Sequence, residues 1–189
     1  MRERRFTVAE TPIDGLMRVT RSIIGDHRGF LSRLYCSDEL AEAGFDAPIK
    51  QINQTLTRAK GAIRGMHFQF SPHAEDKFVS CIRGEVLDVA VDLRSGSPTF
   101  LQGHAEPLSA ENGASLFIPK GFAHGFQTLT KDCELLYFHT ASYSKEAEGA
   151  LNPLDPALAI AWPLPVTDMS VRDRAHPHLA DIHFPGIVL

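Results

Sequence analysis

The sequence predicts an all-β sandwich or barrel. Short runs of Val, Ile, Phe and Leu, many of them alternating with polar residues, recur along the chain. Gly, Pro, Asn and Asp separate these runs at short intervals, which is typical of strands joined by tight turns. The 189 residues can bury one sizeable core. No internal repeat or linker divides the sequence, so residues 1–189 are predicted to form one domain.

The composition excludes several functional classes. With 23 acidic against 19 basic side chains the formal net charge is −4, which gives no bulk attraction to nucleic acid or to an anionic membrane. No stretch approaches the roughly 20 apolar residues of a membrane-spanning helix, and the N-terminus lacks the apolar run of a signal peptide. Cys36, Cys81 and Cys133 show no CxxC spacing. Such a set predicts a reducing compartment, and hence a cytoplasmic protein.

Predicted strands follow one another along most of the chain. They span residues 17–24, 30–35, 49–57, 62–70, 77–82, 85–93, 114–118, 125–130 and 134–140. Arg83-Gly84 is predicted to form a tight hairpin turn between two of them. In the strand after this turn, Val86, Asp88, Ala90 and Asp92 alternate with Leu87, Val89, Val91 and Leu93. The alternation predicts a polar row opposite a dry row, as in a strand that separates a core from a wet surface or cavity.

The remaining segments predict little regular structure. A short helix is expected at 37–43, with Ser37 as its N-cap and Glu39 in its first turn. A further turn is expected near 145–150. Several prolines interrupt residues 163–189, so this segment is predicted to wrap over the barrel as irregular chain.

Two segments are similar to the sequence motifs of cupins. Residues 113–124 have the spacing of the second motif, in which the chain turns and returns with His124 facing the barrel interior. The alternative is a plain turn followed by a hydrogen-bonded structural histidine. In the first motif, metal-binding cupins carry His-x-His on one face of a strand. Here the pair is His67 and Gln69, and because an amide is a poor ligand for a transition metal, we predict no metal site.

A more specific resemblance covers most of residues 23–175. IRGMHFQ at 63–69 resembles the [VL]-R-G-[LM]-H-[FY]-Q signature of dTDP-4-dehydrorhamnose 3,5-epimerases. Further segments follow in the family's order: GDHRGFL (25–31), QINQT (51–55), KFV (77–79), GEVLDVAVDLRSGSPTF (84–100), LSAEN (108–112), IPKGFAHGFQTL (118–129), ELLY (134–137), AIAWP (159–163) and SVRD (170–173). The resemblance implies a cupin-type double-stranded β-helix (a jelly roll) with short helices. It also implies cofactor-independent epimerisation of a nucleoside-diphosphate 4-keto-6-deoxy sugar at carbon 3, carbon 5 or both.

An acid–base set follows from the same resemblance. His67 is expected to be the general base that removes a proton from the carbon next to the 4-keto group, a task that suits a neutral imidazole. Asp173 would orient the His67 ring, and Lys77 would place an ammonium near the enolate oxygen. Tyr137 would return a proton from the opposite face. Taken singly, three of these residues also have a plain reading: Lys77 as a solvated lysine, Asp173 as the cap of a turn and Tyr137 as a core aromatic. Taken together with the collinear motifs, the functional reading is favoured for all of them.

Other matching positions are expected to bind the substrate. Arg28 and Arg64 would hold the diphosphate, since guanidinium groups match phosphate oxygens, although either could instead form a surface ion pair. The residues expected to line the sugar pocket are Gln51, Asn53 and His124. The resemblance implies a homodimer in which an N-terminal segment joins the partner's sheet, so that Arg28 reaches the other subunit's pocket. No cofactor is implied.

The chain departs from the family pattern at the substrate-binding periphery. The usual RGFFxE reads RGFLSR here, so Arg33 replaces a glutamate expected near the nucleotide base. Thymine N3–H donates a hydrogen bond whereas cytosine N3 accepts one, so an arginine is expected to disfavour thymine. This leaves dTDP and CDP both open as carriers, with CDP the hypothesis. WND reads PLD at 153–155, and only Tyr143 remains of a usual tyrosine pair.

A rival reading from another class stays open. A cupin of this kind can bind a sugar without epimerising it, or can be a metal-dependent enzyme, because β-barrels of one fold host many functions. Gln69 counts against the metal. The joint presence of His67, Asp173, Tyr137 and Lys77 counts against a pure binding module, since binding needs no opposed acid and base.

Overall fold

The structure is a computed structural model that describes residues 4–189. Its strands are β1 (Phe6–Glu10), β2 (Met17–Arg21), β3 (Ile23–Asp26), β4 (Gly29–Ser32), β5 (Gln51–Thr57), β6 (Ala62–Gln69), β7 (Lys77–Arg83), β8 (Glu85–Asp92), β9 (Gly103–Ser109), β10 (Ala114–Ile118), β11 (Phe122–Thr128), β12 (Cys133–His139), β13 (Glu148–Ala150) and β14 (Asp168–Met169). The α-helices are α1 (Ser37–Leu40) and α2 (Val171–Arg174), and short 3-10 helices span Ala41–Ala43, Pro156–Leu158 and Leu179–Asp181. No helix within residues 4–189 is long and apolar enough to cross a membrane.

Two sheets pack face to face around the core. Sheet I has the strand order β1-β2-β10-β7-β12-β5, and sheet II has the order β13-β6-β11-β8-β9. Neighbours within each order are antiparallel, and β14 adds a parallel pairing to β6. Val79 and Leu135 of sheet I meet Val86, Ala90 and Phe126 of sheet II in one buried cluster. The predicted all-β sandwich is confirmed.

The strands missed by the sequence prediction are β1, β9, β13 and β14. β1 and β9 form edges of sheets I and II. An edge strand tolerates charged residues and a proline such as Pro107, because one side of its backbone donates to no neighbour. The predicted run 17–24 divides at Ser22 into β2, which joins sheet I, and β3, which pairs with β4. The turn expected near 145–150 lies at residues 145–147 and leads into β13.

The predicted hairpin at Arg83-Gly84 is wrong. β7 lies in sheet I between β10 and β12, whereas β8 lies in sheet II between β11 and β9. Gly84 has a φ of +74°, and a Cβ there would stand 2.6 Å from Thr130 Oγ1. The chain therefore turns a tight corner from one sheet to the other, which requires glycine. A corner and a hairpin share the same local pattern of apolar runs around a turn, and only the strand pairing distinguishes them.

The alternation of two rows along β8 is confirmed, but nearly all residues of both rows are buried, and the C-terminal segment covers the outer row. Val86 and Ala90 face the core between the sheets. Val89 and Val91 belong to a second cluster on the outer face of sheet II. The chain after residue 163 covers that face, with Ile187 buried against it, as expected for a wrapping segment. This segment also contains α2, which the sequence prediction missed.

The helix predicted at 37–43 is α1 followed by the 3-10 turn Ala41–Ala43. Its N-cap is the extended residue Cys36, which makes no side-chain capping bond, so the prediction of Ser37 as N-cap is wrong. The side chain of Glu39 instead accepts the backbone N–H groups of Arg5 and Phe6 at 2.7 and 3.2 Å. These two hydrogen bonds from the start of β1 to Glu39 connect β1 to helix α1.

The hairpin formed by β3 and β4 stands apart from both large sheets and forms a small sheet of its own. Its side chains are apolar yet exposed, with Phe30 at 75% and Leu31 at 70% of their full accessibility. Ile23 and Ile24 are exposed as well. Residues 4–189 of one chain leave this apolar surface uncovered.

Candidate active site

A cavity of about 350 Å³ opens between the two sheets. It brings together most of the residues that the sequence singled out: Asn53, Arg64, His67, Lys77, His124, Tyr137, Tyr143 and Asp173. Sheet I and sheet II face each other across this space, and α2 contributes Arg172 and Asp173 to its lining. The arrangement places side chains from distant parts of the sequence around one open cavity.

His67 on β6 is hydrogen-bonded to Asp173 on α2, with 2.8 Å between Nε2 and Oδ1. Because a carboxylate accepts, Nε2 carries the proton and Nδ1 keeps its lone pair. Burial alone would raise the pKa of Asp173, but the hydrogen bond and the charge of His67 outweigh it and lower the pKa below its ordinary value. The His67 side chain stays 35% exposed. The ionised carboxylate of Asp173 therefore accepts a hydrogen bond from His67, whose imidazole ring stays accessible from the cavity.

Local structure positions Asp173 in two ways. The backbone N–H of Asp173 donates to Ser170 Oγ at 2.9 Å, which starts α2 with a side-chain cap. Just before it, β14 pairs with residues 62–63 of β6, the strand that carries His67. The pairing of β14 with β6 thus holds α2, and with it Asp173, next to the strand that carries His67. The Ser-x-x-Asp spacing in SVRD is a capping signal that predicts this short helix.

His124 on β11 lies directly opposite His67 on β6. The pairing shifts after His124 at Gly125, where a Cβ would stand 2.7 Å from the carbonyl oxygen of Arg64. The two backbones therefore approach closely at a β-bulge that requires glycine. His124 is buried and its Nε2 lies 2.8 Å from Asp88 Oδ1. It faces the interior, as its motif predicts.

Lys77 reaches the cavity as part of a buried charged group. Its Nζ donates to the carbonyl oxygen of His67 at 3.2 Å and lies 3.3 Å from Glu75 Oε1. Glu75 also bonds His139 Nδ1 at 2.9 Å. Burial alone would raise the pKa of Glu75, but the hydrogen bond from His139 and the charge of Lys77 lower it below its ordinary value. A charged Glu75 holds the ammonium in place.

Tyr137 faces the cavity from β12 of sheet I, across from the strand that carries His67. Its hydroxyl lies 3.4 Å from Thr55 Oγ1, and its ring stacks on His139. Burial raises the pKa of Tyr137 well above its ordinary value, against the smaller opposing effect of the Thr55 hydrogen bond. The phenol therefore keeps its proton at neutral pH.

Hydrogen bonds order the rim of the cavity. Tyr143 O–H donates to Glu148 Oε2 at 2.9 Å, and Arg172 donates to the other oxygen of that carboxylate. The backbone N–H of Tyr143 donates to Gln51 Oε1 at 3.1 Å, and Gln51 Nε2 donates to Asn53 Oδ1 at 3.2 Å. Gln51 therefore supports the rim without lining the cavity itself, whereas Asn53 and Tyr143 line it.

The predicted arginines separate into two groups. Arg64 lines the cavity and its Nε donates to Thr57 Oγ1 at 2.9 Å. Arg28 lies at the β3–β4 turn, paired with Asp26 at 2.6 Å. Arg33 donates to the carboxylate of Glu39. Within one chain the structure does not bring Arg28 or Arg33 to the cavity.

The positions that hold metal in cupins do not fit a metal ion here. Gln69 donates from Nε2 to the carbonyl oxygen of His73 at 3.0 Å and accepts the N–H of Ser144 at 2.7 Å. Both ends of this amide are therefore engaged by the backbone. His124 is paired with Asp88. These contacts leave no convergent donor set at the cupin positions.

Sequence reasoning missed several residues of the cavity, namely Glu75, His139, Glu148 and Arg172. His139 follows Tyr137 by two residues on the same strand, so its side chain lies on the same face. Strand alternation alone predicts its place. Glu75 carries no such signal, because it lies in the irregular chain before β7.

The chain matches known proteins over nearly its whole length. A family model described as dTDP-4-dehydrorhamnose 3,5-epimerase matches residues 10–181. A dTDP-4-dehydrorhamnose 3,5-epimerase of Sinorhizobium fredii is 42% identical over 159 residues, which cover 84% of this chain and 82% of the relative. A dTDP-4-dehydro-6-deoxyglucose 3-epimerase of a Streptomyces species is 35% identical over 178 residues, 93% of this chain and 90% of the relative.

Solved structures agree with these relatives. The crystal structure of a dTDP-6-deoxy-D-glucose-3,5-epimerase from Legionella pneumophila, in complex with dTDP-4-keto-L-rhamnose, superposes with a TM-score of 0.88. It is 40% identical, and the match covers 93% of both chains. The fold is thus the cupin-type jelly roll of these enzymes. The chain belongs to the dTDP-4-dehydrorhamnose 3,5-epimerase family.

Proposed function

We propose that this chain epimerises a nucleoside-diphosphate 4-keto-6-deoxy sugar at carbon 3, carbon 5 or both, without a cofactor. The observation that carries the proposal is the hydrogen-bonded His67–Asp173 pair on one side of the cavity, with the protonated Tyr137 on the facing sheet. Inversion at a carbon needs a base on one face and an acid on the other. A pure binding module needs neither.

The proposed reaction begins at the free nitrogen of the base. His67 Nδ1 takes the proton from the carbon next to the ketone, and the C–H electron pair forms the double bond of an enolate. The Lys77 ammonium stabilises the charge on the enolate oxygen, an effect that is largest in a water-excluded site. Tyr137 then donates its proton to the opposite face of the same carbon. Asp173 stabilises the imidazolium that His67 becomes.

Proton exchange tests this function directly. The purified protein is incubated in D₂O with a 4-keto-6-deoxyglucose nucleotide, and NMR follows the protons at carbons 3 and 5. Exchange that disappears in His67→Asn supports the proposal, and the exchanging positions identify the carbons that the enzyme deprotonates. A bound sugar that keeps both protons would favour the non-epimerising cupin instead.

The diphosphate and the base form a separate part of the proposal. Arg64 and Arg172 are cavity-lining cations that suit phosphate oxygens. The named relatives act on dTDP sugars, whereas Arg33 motivates CDP as the hypothesis for this chain. Comparing kcat/KM for dTDP- and CDP-linked substrates decides between the carriers. Equal values, or a preference for dTDP, would contradict a discriminating role for Arg33.

The active form is proposed to be a homodimer. The uncovered β3–β4 hairpin supports it, because exposed Phe30 and Leu31 are apolar surface that a monomer seldom leaves in water. Arg28 stands at the end of this hairpin and away from its own cavity. We therefore expect Arg28 to complete the partner's site and to contact the substrate diphosphate there. A cytoplasmic location is proposed on the three free cysteines of the chain and on the nucleotide-sugar substrate.

Mixed dimers test this exchange of Arg28. Arg28→Ala and His67→Asn should each be nearly inactive alone. After exchange of subunits, a mixed dimer holds one site with both native residues, so about a quarter of the native activity should return. No recovery after demonstrated subunit exchange would show that Arg28 acts in its own chain or not at all.

A further inference from the structure

His176 lies beside the His67–Asp173 pair but takes no part in it. Its Nε2 is buried and finds no hydrogen-bond partner within residues 4–189. It stands 3.8 Å from Asp173 Oδ1, which is too long for a hydrogen bond. The same carboxylate oxygen is 2.8 Å from His67 Nε2. Two imidazoles therefore converge on one carboxylate, and their rings meet edge to face with centroids 5.9 Å apart.

The three side chains offer a set of metal donors. One donor atom from each of His67, Asp173 and His176 lies within 4.8 Å of the other two. Zinc binds imidazole nitrogen and carboxylate oxygen at about 2.0–2.2 Å, so tetrahedral donors stand about 3.3 Å apart. The observed separations of 2.8 and 3.8 Å lie on either side of that value. Small side-chain rotations would bring the donors to the required spacing.

The surroundings suit a cation. Glu148 is close enough to interact electrostatically with both histidines, and it adds a second carboxylate to the negative charge of Asp173. Two nearby cations are each paired with a carboxylate, Arg172 with Glu148 and Lys77 with Glu75. The cavity adjoins His67 and Asp173, so water can supply a fourth ligand from that side.

We infer that His67, Asp173 and His176 bind a divalent transition-metal ion of the Zn²⁺ type, and that this ion competes with catalysis. The binding part of the inference is independent of the proposed function, whereas the inhibition rests on it. This set shares only His67 with the cupin metal positions. The ion acts as an inhibitor and supplies no step of the reaction.

The inhibition follows from the tautomer of His67. Without metal, the Nε2 proton is shared with Asp173, and the lone pair of Nδ1 is free to act as base. A metal ion on Nε2 needs the lone pair of that nitrogen, so the proton moves from Nε2 to Nδ1. No net proton is released from His67. A protonated Nδ1 has no lone pair, and the base is lost as long as the ion stays bound.

Direct metal binding is the first test, and it requires no substrate. Zn²⁺ is titrated into the full-length protein by calorimetry, and Co²⁺ is followed by its visible absorption, which reports the donor set. The wild type should bind about one equivalent at this site. His176→Gln should weaken that binding by at least about 10- to 100-fold, because that is already the cost of losing a partner that only orients a metal ligand. His178→Gln and His183→Gln are matched controls, because these histidines lie in the same segment but outside the group.

Activity supplies the second test. Zn²⁺ should inhibit wild-type epimerisation reversibly, and a chelator should restore it. His176→Gln should match the wild type without metal and resist Zn²⁺ at concentrations that inhibit the wild type. Unchanged Zn²⁺ affinity in His176→Gln would overturn the site. Binding that needs His176 but leaves the wild-type rate unchanged would overturn the competition, and a protein with no epimerase activity would leave the binding test intact while refuting the proposed function.

Discussion

Two histidine–aspartate pairs share the interior face of sheet II. His67–Asp173 and His124–Asp88 have the same 2.8 Å separation between Nε2 and Oδ1, and the two histidines are cross-strand partners. The pairs differ in access. The His67 side chain is 35% exposed, whereas His124 is 7% and Asp88 is fully buried. The two carboxylates also lie in different elements, because Asp88 belongs to β8, next to the strand of His124, whereas Asp173 belongs to helix α2.

This contrast shows that hydrogen-bond geometry alone does not identify a catalytic base. A base must offer its free nitrogen to a substrate. Of the two pairs, only His67–Asp173 combines a fixed tautomer with an accessible imidazole ring. The His124–Asp88 pair holds His124 in place in the cavity wall. Asp88 Oδ2 is buried and finds no hydrogen-bond partner within residues 4–189. Two experiments compare the two pairs directly, and two more test the acid on the facing sheet and the ionisation of Asp173.

Removing each imidazole should give the largest difference. His67→Asn should lower kcat by about 10³-fold or more, because the proton acceptor is lost. His124→Asn should affect mainly KM, by about tenfold, because its position at the cavity wall concerns sugar binding. Steady-state kinetics of both variants measure this, with circular dichroism as the folding control. Equal losses of kcat would remove the distinction between the pairs.

Removing each carboxylate charge should give the next effect. Asp173→Asn should lower kcat by about 10²-fold, since an amide does not stabilise the imidazolium form of His67. Asp88→Asn should keep kcat within about tenfold but lower the stability by about 1–3 kcal/mol, because a buried hydrogen-bond network is disturbed. Rates and thermal unfolding of both variants test the expectation. A slow Asp88→Asn enzyme with native stability would contradict it.

The role of Tyr137, the proposed acid on the facing sheet, should be detectable in the stereochemistry of the product. In Tyr137→Phe, inversion should fall by about 10²-fold while deuterium still enters the carbon from the side of His67. Tyr35→Phe is the matched control, since Tyr35 is partly buried, stacks on Phe138 and lies outside the cavity. NMR in D₂O measures exchange and inversion together. Loss of both in equal measure would argue against a separate acid.

The smallest effect concerns stability against pH. The pKa of Asp173 is depressed in the folded protein, so its ionised form stabilises the fold above the ordinary aspartate pKa of about 3.9. This stabilisation disappears as the pH falls through the lower folded-state pKa. The unfolding free energy of Asp173→Asn should therefore lie about 1–2 kcal/mol below the wild type at pH 7, with a gap that narrows below pH 4. Urea unfolding at several pH values measures the gap, and a constant gap would refute the linkage.

Most strands and most of the candidate site could be predicted from the sequence. Alternation places His67 and Gln69 on one face of β6, and the motif spacing places His124 in the interior, because both depend on neighbours along the chain. The edge strands β1 and β9 escaped prediction, since exposure relaxes the apolar pattern that reveals a strand. His176 carries no motif and becomes visible only beside Asp173.

The sequence by itself determined the β class and the family, and it predicted a set of acid–base candidates, because local patterns and a collinear set of motifs encode them. Only the tertiary structure decided which strands pair, as the corner at Gly84 shows. It also decided which carboxylate serves each histidine: His67 and Asp173 are 106 positions apart in the chain. Such long-range contacts depend on how both sheets and the C-terminal segment pack together. Because the free energy of that packing is distributed over the whole core, no short segment of the sequence predicts the contacts.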